Sequence, residues 1–376
     1  MVSLSRQSRS SFAKWLWTID KITLFLSFAL LLIGLILDIT ASPAVARRIN
    51  YDDYWFVRKH VIYVLASIVV IFVLSLLKLK TIRRLSLLGF VLILGLMIIT
   101  PFWGIENKGA RRWLSICGFS LQASEFMKPI FIIVTAWLLD CGKKFADFQG
   151  MLISIALFGV VAGLLLLQPD IGMTLLYTAV FAIQLFLAGL PIILVTVLAL
   201  AGVASLVLFY FIFPHFHARV DQFLYGSSET SYQINKAMEA FQNGNLVGRG
   251  PGEGTVKLQI PDAHTDFIFA VAGEEYGVWL CLIIIALFAI IIIRALRTSM
   301  RETNLFVMYA EVGLAASIGI QAFVNMASSL HIIPTKGMTL PFISYGGSSL
   351  LGSAIEIGML LALTKQNTAS EDKDLS

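Results

Sequence analysis

Apolar runs of about 18 or more residues recur from one end of this chain to the other. Each is long enough to cross the hydrocarbon core of a bilayer as a single helix. That one feature outweighs every other signal. The chain reads as an all-α polytopic membrane protein: a bundle of about ten transmembrane helices, with a long extracytoplasmic loop between spans seven and eight. Charged residues make up 14% of the sequence, against about 25% in a soluble domain. No cleavable signal peptide is visible, because residues 1–20 are polar and basic and the first apolar run is long enough to span. The net charge of +5 is spread over short loops, which is a topology signal rather than a nucleic-acid footprint. Cys117, Cys141 and Cys281 are far apart and match no zinc or disulfide spacing.

The expected organisation is a basic tail (1–20), spans one to seven (21–213), the outer loop (214–265), spans eight to ten (266–364) and a charged tail (365–376). The spans themselves fall at about 22–40, 61–77, 85–103, 125–139, 151–167, 171–187, 191–213, 266–293, 305–330 and 347–364. Lys and Arg concentrate in the N-terminal tail and in the loops after spans two, four and eight, which places both termini in the cytoplasm. Arg47, Arg48, Arg58 and Lys59 in the first outer loop, and Lys108, Arg111 and Arg112 in the second, break that trend. Two readings stand for them, holding an anion or anchoring headgroups. Within the long loop, Phe216, Val220, Phe223 and Leu224, and again Ile234, Ala237, Met238 and Phe241, recur at helical spacing. Both stretches predict amphipathic helices at the membrane surface, and packing against the bundle explains the stripes as well as lipid does.

The chemistry-bearing residues cluster where polar segments meet apolar ones. Gly248, Gly250, Gly252 and Gly254 alternate, but neither a Walker A nor a GxGxxG pattern is present, so the run predicts a tight hinge and not a nucleotide site. Asp262, His264 and Asp266 crowd the entrance of span eight. Asp266 is expected in the first turn of that helix, where it suits either a dipole-stabilised cap or a general base whose pKa partial burial raises. Glu125 and Lys128 share a helix face at the entrance of span four, as a plain ion pair or as functional groups. Gln168, Asp170, Glu274, Glu275 and Lys336 are further polar residues in or beside apolar runs, and polar glue is the competing reading. Ser344, Tyr345, Gly346, Gly347 and Ser348 precede span ten; they permit close helix approach or present backbone amides to phosphate oxygens.

These stretches together resemble the SEDS family (shape, elongation, division and sporulation) of membrane peptidoglycan polymerases. The resemblance rests on Gly109-Ala110-Arg111-Arg112-Trp113, Ser124-Glu125-Phe126-Met127-Lys128-Pro129, Gln168-Pro169-Asp170-Ile171-Gly172, Tyr232-Gln233, residues 261–269, Gly273-Glu274-Glu275 and residues 334–349, in the family's order. Ser42-Pro43-Ala44-Val45-Ala46 and residues 248–257 are similar to the division branch as found in alphaproteobacteria, with the elongation branch the nearest rival. Two departures occur: Ala123 stands where the family has Pro, and His60 follows Arg58-Lys59 where it has Gln.

The resemblance implies an inverting glycosyltransferase of the bacterial inner membrane, at the division septum, that polymerises lipid II and releases undecaprenyl pyrophosphate. It places the general base on Asp266. Substrate binding is expected from Glu125, Lys128, Arg58, Arg112, His264 and the Ser344–Ser348 segment. Lys128, with Arg58 or Arg112, is expected to stabilise the pyrophosphate, and Glu125 to orient Lys128. A divalent cation, Mg or Mn, is the one cofactor that could assist. The implied partners are lipid II, a class B penicillin-binding protein transpeptidase and other division membrane proteins, with no nucleic acid. Two other function classes stay open at this level, a lipid II transporter and a non-catalytic scaffold.

Overall fold

The computed structural model describes residues 11–107, 110–116, 118–145, 147–212, 217, 221, 229–334 and 337–365. Twelve α-helices are described. A short amphipathic α1 (Ser11–Thr18) leads into α2 (Lys21–Arg48), α3 (Trp55–Leu76) and α4 (Leu79–Trp103). Three short strands follow, β1 (Ile105–Asn107), β2 (Ala110–Ile116) and β3 (Phe119–Leu121). Then come α5 (Ala123–Lys144), α6 (Gly150–Leu167), α7 (Ile171–Leu187) and α8 (Ile192–Ile212). The long loop carries α9 (Glu229–Gly244), and the chain closes with α10 (Ile268–Ser299), α11 (Leu305–Ser329) and α12 (Gly347–Leu363). Six of these helices are long and apolar enough to cross a membrane, and α7 and α12 are shorter apolar helices. The protein is a helical, multi-pass membrane protein.

The 28 residues of α2 make a rod of roughly 42 Å at 1.5 Å per residue, enough for the whole bilayer with its headgroup layers. Asp20 starts it, its carboxylate accepting from the N–H groups of Ile22 (3.1 Å) and Thr23 (3.3 Å), which satisfies two of the orphan donors of a first turn. Phe25, Leu88, Val91 and Leu152 point outward and are exposed, as lipid-facing side chains should be. The interior is different. α5 and α11 sit at the centre, and most of their residues are buried. α5 carries Glu125, Lys128 and Asp140, all buried, and its polarity follows from its position, since most of its side chains pack inside the bundle.

Several expectations change. The polar stretch at 104–124 is a small antiparallel sheet in the order β1-β2-β3, with Glu106 opposite Arg111 and Ser115 opposite Ser120. An all-α description therefore omits one element. Ser42 and Pro43 lie inside α2 and not in a loop; a backbone in lipid gains more by continuing its helix than it loses at one missing N–H. Lys80–Arg84 form the first turns of α4, and Lys143 and Lys144 close α5, where the helix dipole favours cations. In the long loop the second amphipathic helix is present and extends to Glu229–Gly244. Ile234, Ala237 and Ala240 are buried, and Phe241 meets Phe269 of α10 edge-on at 5.8 Å. The stripe packs on the bundle. The first expected helix, at 216–224, lies outside the described residues except for positions 217 and 221.

Candidate active site

The Gly-rich run is a clamp, not a hinge. α10 breaks at Gly277 (φ 72°, ψ −169°), a left-handed conformation that glycine adopts without steric cost. The break frees carbonyls, and the Gly-rich run supplies the donors. Arg249 N–H donates to the Glu274 carbonyl (3.0 Å) and Gly250 N–H to that of Glu275 (2.9 Å). Gly248 approaches so closely that a Cβ there would overlap the Glu275 carbonyl, and a Cβ on Gly277 would overlap that of Leu246. The Glu274 carboxylate turns back and accepts from the N–H groups of Thr255 (2.8 Å), Val256 (2.8 Å) and Lys257 (3.0 Å). Glu275 pairs with the buried Lys257. Both glutamates hold the loop to the helix, so no freedom remains for a hinge.

This clamp delivers the turn at 261–267 to the mouth of the bundle. Asp266 lies in that turn, its N–H donating to the Asp262 carbonyl (3.1 Å). The helix proper begins at Ile268 with Phe267 as its cap, so Asp266 stands just outside the first helical turn expected for it. It is half-buried. Three hydrogen bonds from other described elements help to hold the turn. Asn325 of α11 donates to the Asp266 carbonyl (3.0 Å), Ser344 Oγ to the Thr265 carbonyl (2.5 Å), and Tyr345 N–H to the His264 carbonyl (2.9 Å). Gly337 faces the carboxylate; a Cβ there would lie 3.3 Å from Asp266 Oδ2. Lys336, next in the chain, lies outside the described residues. His264 is buried between Phe56 (4.8 Å) and Tyr345 (5.1 Å). Burial pushes its pKa down to about 4, against the opposing pull of Asp262.

Behind the mouth lies an ionic pocket. Lys128 Nζ is 2.9 Å from Glu125 Oε2 and 4.0 Å from Glu356 Oε1, and it donates to Gln321 Oε1. Ser317 donates to Glu356 Oε1 (2.7 Å). Gln321 Nε2 passes the network outward to the Thr339 carbonyl (3.1 Å), and the Thr339 and Ser349 hydroxyls meet at 2.5 Å. Lys128 is only 2% exposed. Its link to Asp266 therefore runs through α11, whose Gln321 and Asn325 grip Thr339 and Met338 of the same loop one turn apart.

The other expected residues fall into supporting places. Arg112 donates to the carbonyls of Gln168 (3.2 Å) and Pro169, tying β2 to the α6–α7 turn. Gln168 Nε2 donates to the Met97 carbonyl (2.9 Å), and Asp170 caps α7 through the N–H of Met173 (3.2 Å). Ser348 Oγ accepts from Gln122 N–H (3.0 Å) and donates to the Ser120 carbonyl (3.3 Å). Gly346 and Gly347 open α12, where Gly347 lies against the Tyr63 ring. Arg58 is 74% exposed beside Asp52 at 3.2 Å. His60, at the departing position, is fully buried 3.8 Å from Asp38. Glu356, Glu311 and Asp38 were missed by sequence reasoning. Each is an ionisable residue inside an apolar run, and that alone could have singled them out. Among the described residues no three His, Cys, Asp or Glu side chains form a metal-ligand set.

The model of the FtsW/RodA/SpoVE family, described as cell cycle protein, matches residues 21–369. A protein of Caulobacter vibrioides, named a probable peptidoglycan glycosyltransferase FtsW, is 41% identical over 97% of this chain and 94% of its own. One of the same name from Coxiella burnetii is 34% identical over 92% and 96%. Among solved structures, a chain of a peptidoglycan synthase complex that coordinates polymerization and crosslinking superposes with a TM-score of 0.77 at 25% identity, over 92% of this chain and 97% of that one. The rod shape determining protein RodA of Thermus thermophilus gives 0.68 at 24% identity, over 92% and 96%, a likeness of fold. This chain belongs to the FtsW/RodA/SpoVE family.

Proposed function

We propose that this member of the family is a peptidoglycan glycosyltransferase of the division type, which polymerises lipid II with Asp266 as general base. The observation that carries the site is the clamped turn. A half-buried carboxylate held through backbone contacts on both flanks needs little reorganisation when the reaction begins. The acceptor sugar 4-hydroxyl loses its proton to Asp266 as its oxygen bonds to the anomeric carbon of the donor. The bond from that carbon to phosphate breaks on the opposite side, and undecaprenyl pyrophosphate leaves with the electron pair. The anomeric centre inverts in one step, so no covalent intermediate is required. Arg58 is the most exposed cation of the expected set, and to it we assign the departing pyrophosphate. Glu125, Lys128 and Glu356 brace the 337–349 loop from behind.

Ten crossings, by α2–α8 and α10–α12, bring both termini to the cytoplasmic face of the inner membrane and Asp266 to the outer face. The crosslinking partner is a class B penicillin-binding protein; the support is that the similar solved chain works within a complex that joins polymerization to crosslinking. Purified protein given lipid II in detergent tests the reading, since neither lipid crossing nor recruitment is then needed. Wild type should make glycan strands. Asp266→Asn should bind lipid II and polymerise about 10²–10⁴-fold more slowly, the usual worth of a general base. Near wild-type polymerisation by the variant would remove Asp266 from that role. Binding without polymerisation by the wild type would favour a transporter, a reading that the buried ionic pocket also suits.

A further inference from the structure

On the membrane face opposite Asp266, four cations surround one cavity. α2 begins on that face and reaches the Leu258 carbonyl of the outer loop with Arg48. α10 runs the other way and ends there at Ser299. The cavity holds about 640 Å³ and is lined by Lys21, Arg294, Arg297 and Arg301, with Asp20 the one carboxylate among the described lining residues. Among the described lining residues, cations outnumber anions four to one. Asp20 is already engaged, by Arg294 Nη2 at 2.6 Å and Nε at 3.1 Å. Among the described residues, Arg297 and Arg301 have no ion-pair partner.

Helix electrostatics do not account for this set. The C-terminus of α10 favours a cation such as Arg297, but Lys21 sits at the N-terminus of α2, where the dipole disfavours one. Crowded like charges are offset by a bound anion. The depth of the cavity narrows the choice. Trp17, beneath the Lys21 ammonium at 4.7 Å, and Ile22 and Phe25 beyond it are exposed on the outer surface of the bundle. Such a belt marks the level of lipid headgroups. Ile19 and Ile22 give the cavity an apolar wall on the same side.

We infer that this cavity binds the phosphate of an anionic phospholipid headgroup, with Arg297 and Arg301 as direct ligands and Lys21 and Arg294 completing the ring. The lipid bridges the start of α2 and the end of α10, and so braces the helix that carries the clamped turn at its other end. The test uses full-length protein in phosphatidylcholine nanodiscs, titrated with phosphatidylglycerol, with bound lipid counted by native mass spectrometry. Arg297→Gln with Arg301→Gln should weaken phosphatidylglycerol retention on the order of thirtyfold, from the usual contribution of two basic side chains near an anionic lipid. Lys78→Gln with Arg84→Gln removes two cations from the same face outside the cavity and should leave retention unchanged. Arg297→Lys with Arg301→Lys should largely restore it. Full retention by the first pair, or equal loss in the control pair, would overturn the site. Displacement of the lipid by inorganic phosphate alone would make it a soluble-anion site and overturn the lipid reading.

Discussion

Glu274 and Glu356 are buried equally, each with no measurable exposure, yet they live in opposite surroundings. Glu274 accepts three backbone N–H groups from the loop that it clamps. It works as an internal cap and its oxygens are satisfied. Glu356 shares one lysine with Glu125. Its Oε1 accepts from Ser317, while its Oε2 has no hydrogen-bond partner among the described residues. That pocket holds two carboxylates to one ammonium. Burial alone therefore does not tell a structural carboxylate from a strained one. The number of donors that reach it does, because an unsatisfied buried oxygen forgoes its hydration without return.

Substitutions can break this contrast, and the largest effect belongs to the shared lysine. Lys128→Met leaves two carboxylates enclosed without their cation and should lower stability by about 3–5 kcal/mol, read as a fall in thermal unfolding temperature in detergent. A negligible change would mean that the pocket is wetter than its burial indicates.

The mouth of the bundle provides the next test, through pH. His264 has a folded pKa of about 4 against 6.5 for the free side chain, so the unfolded chain takes up its proton first as pH falls. Stability is complete above about 6.5 and declines through the window down to about 4. The loss is about 3 kcal/mol, set against the pull of Asp262 and the proximity of His60 and Tyr345. His264→Gln should flatten that part of the pH–stability curve.

Glu274→Gln places an amide donor against a backbone donor and should cost about 2 kcal/mol. It should also expose the Gly-rich loop to limited proteolysis. Glu356→Gln removes the surplus charge while keeping an acceptor for Ser317, so its stability should stay within about 1 kcal/mol of wild type. Equal losses in these two glutamine variants would erase the distinction between the regions. A stable Glu356→Gln that polymerises poorly would sharpen it, by assigning the surplus charge to function.

Much of this was legible beforehand for identifiable reasons. Apolar runs report spans because lipid enforces one backbone solution, and the seam at Asp262–Asp266 stood out by its crowding of polar residues. The stripe of Ile234, Ala237 and Phe241 announced α9, and of its two readings, lipid or bundle, the structure shows the bundle. The sheet at 104–124 was hidden because its strands are only three to seven residues long, too short for periodicity to register. Alternating glycines predict a hinge because flexibility is glycine's commonest use. Their partner, the break at Gly277, lies about thirty residues on and carries no local signature.

Sequence alone therefore determined the class of protein, a helical membrane protein built on recurrent apolar runs, and singled out the segment that carries Asp266, because both depend on local hydrophobicity and spacing. Tertiary structure decided the rest. It placed Glu125 and Lys128 with Glu356, more than two hundred residues away, and it turned Glu274 from an open question into the pin of a clamp. It also set Asp266 in a turn just outside its helix, held by residues of α11 and the loop before α12. The physical reason is that donor count, charge balance and enclosure are properties of a neighbourhood, and helices distant in the chain supply that neighbourhood.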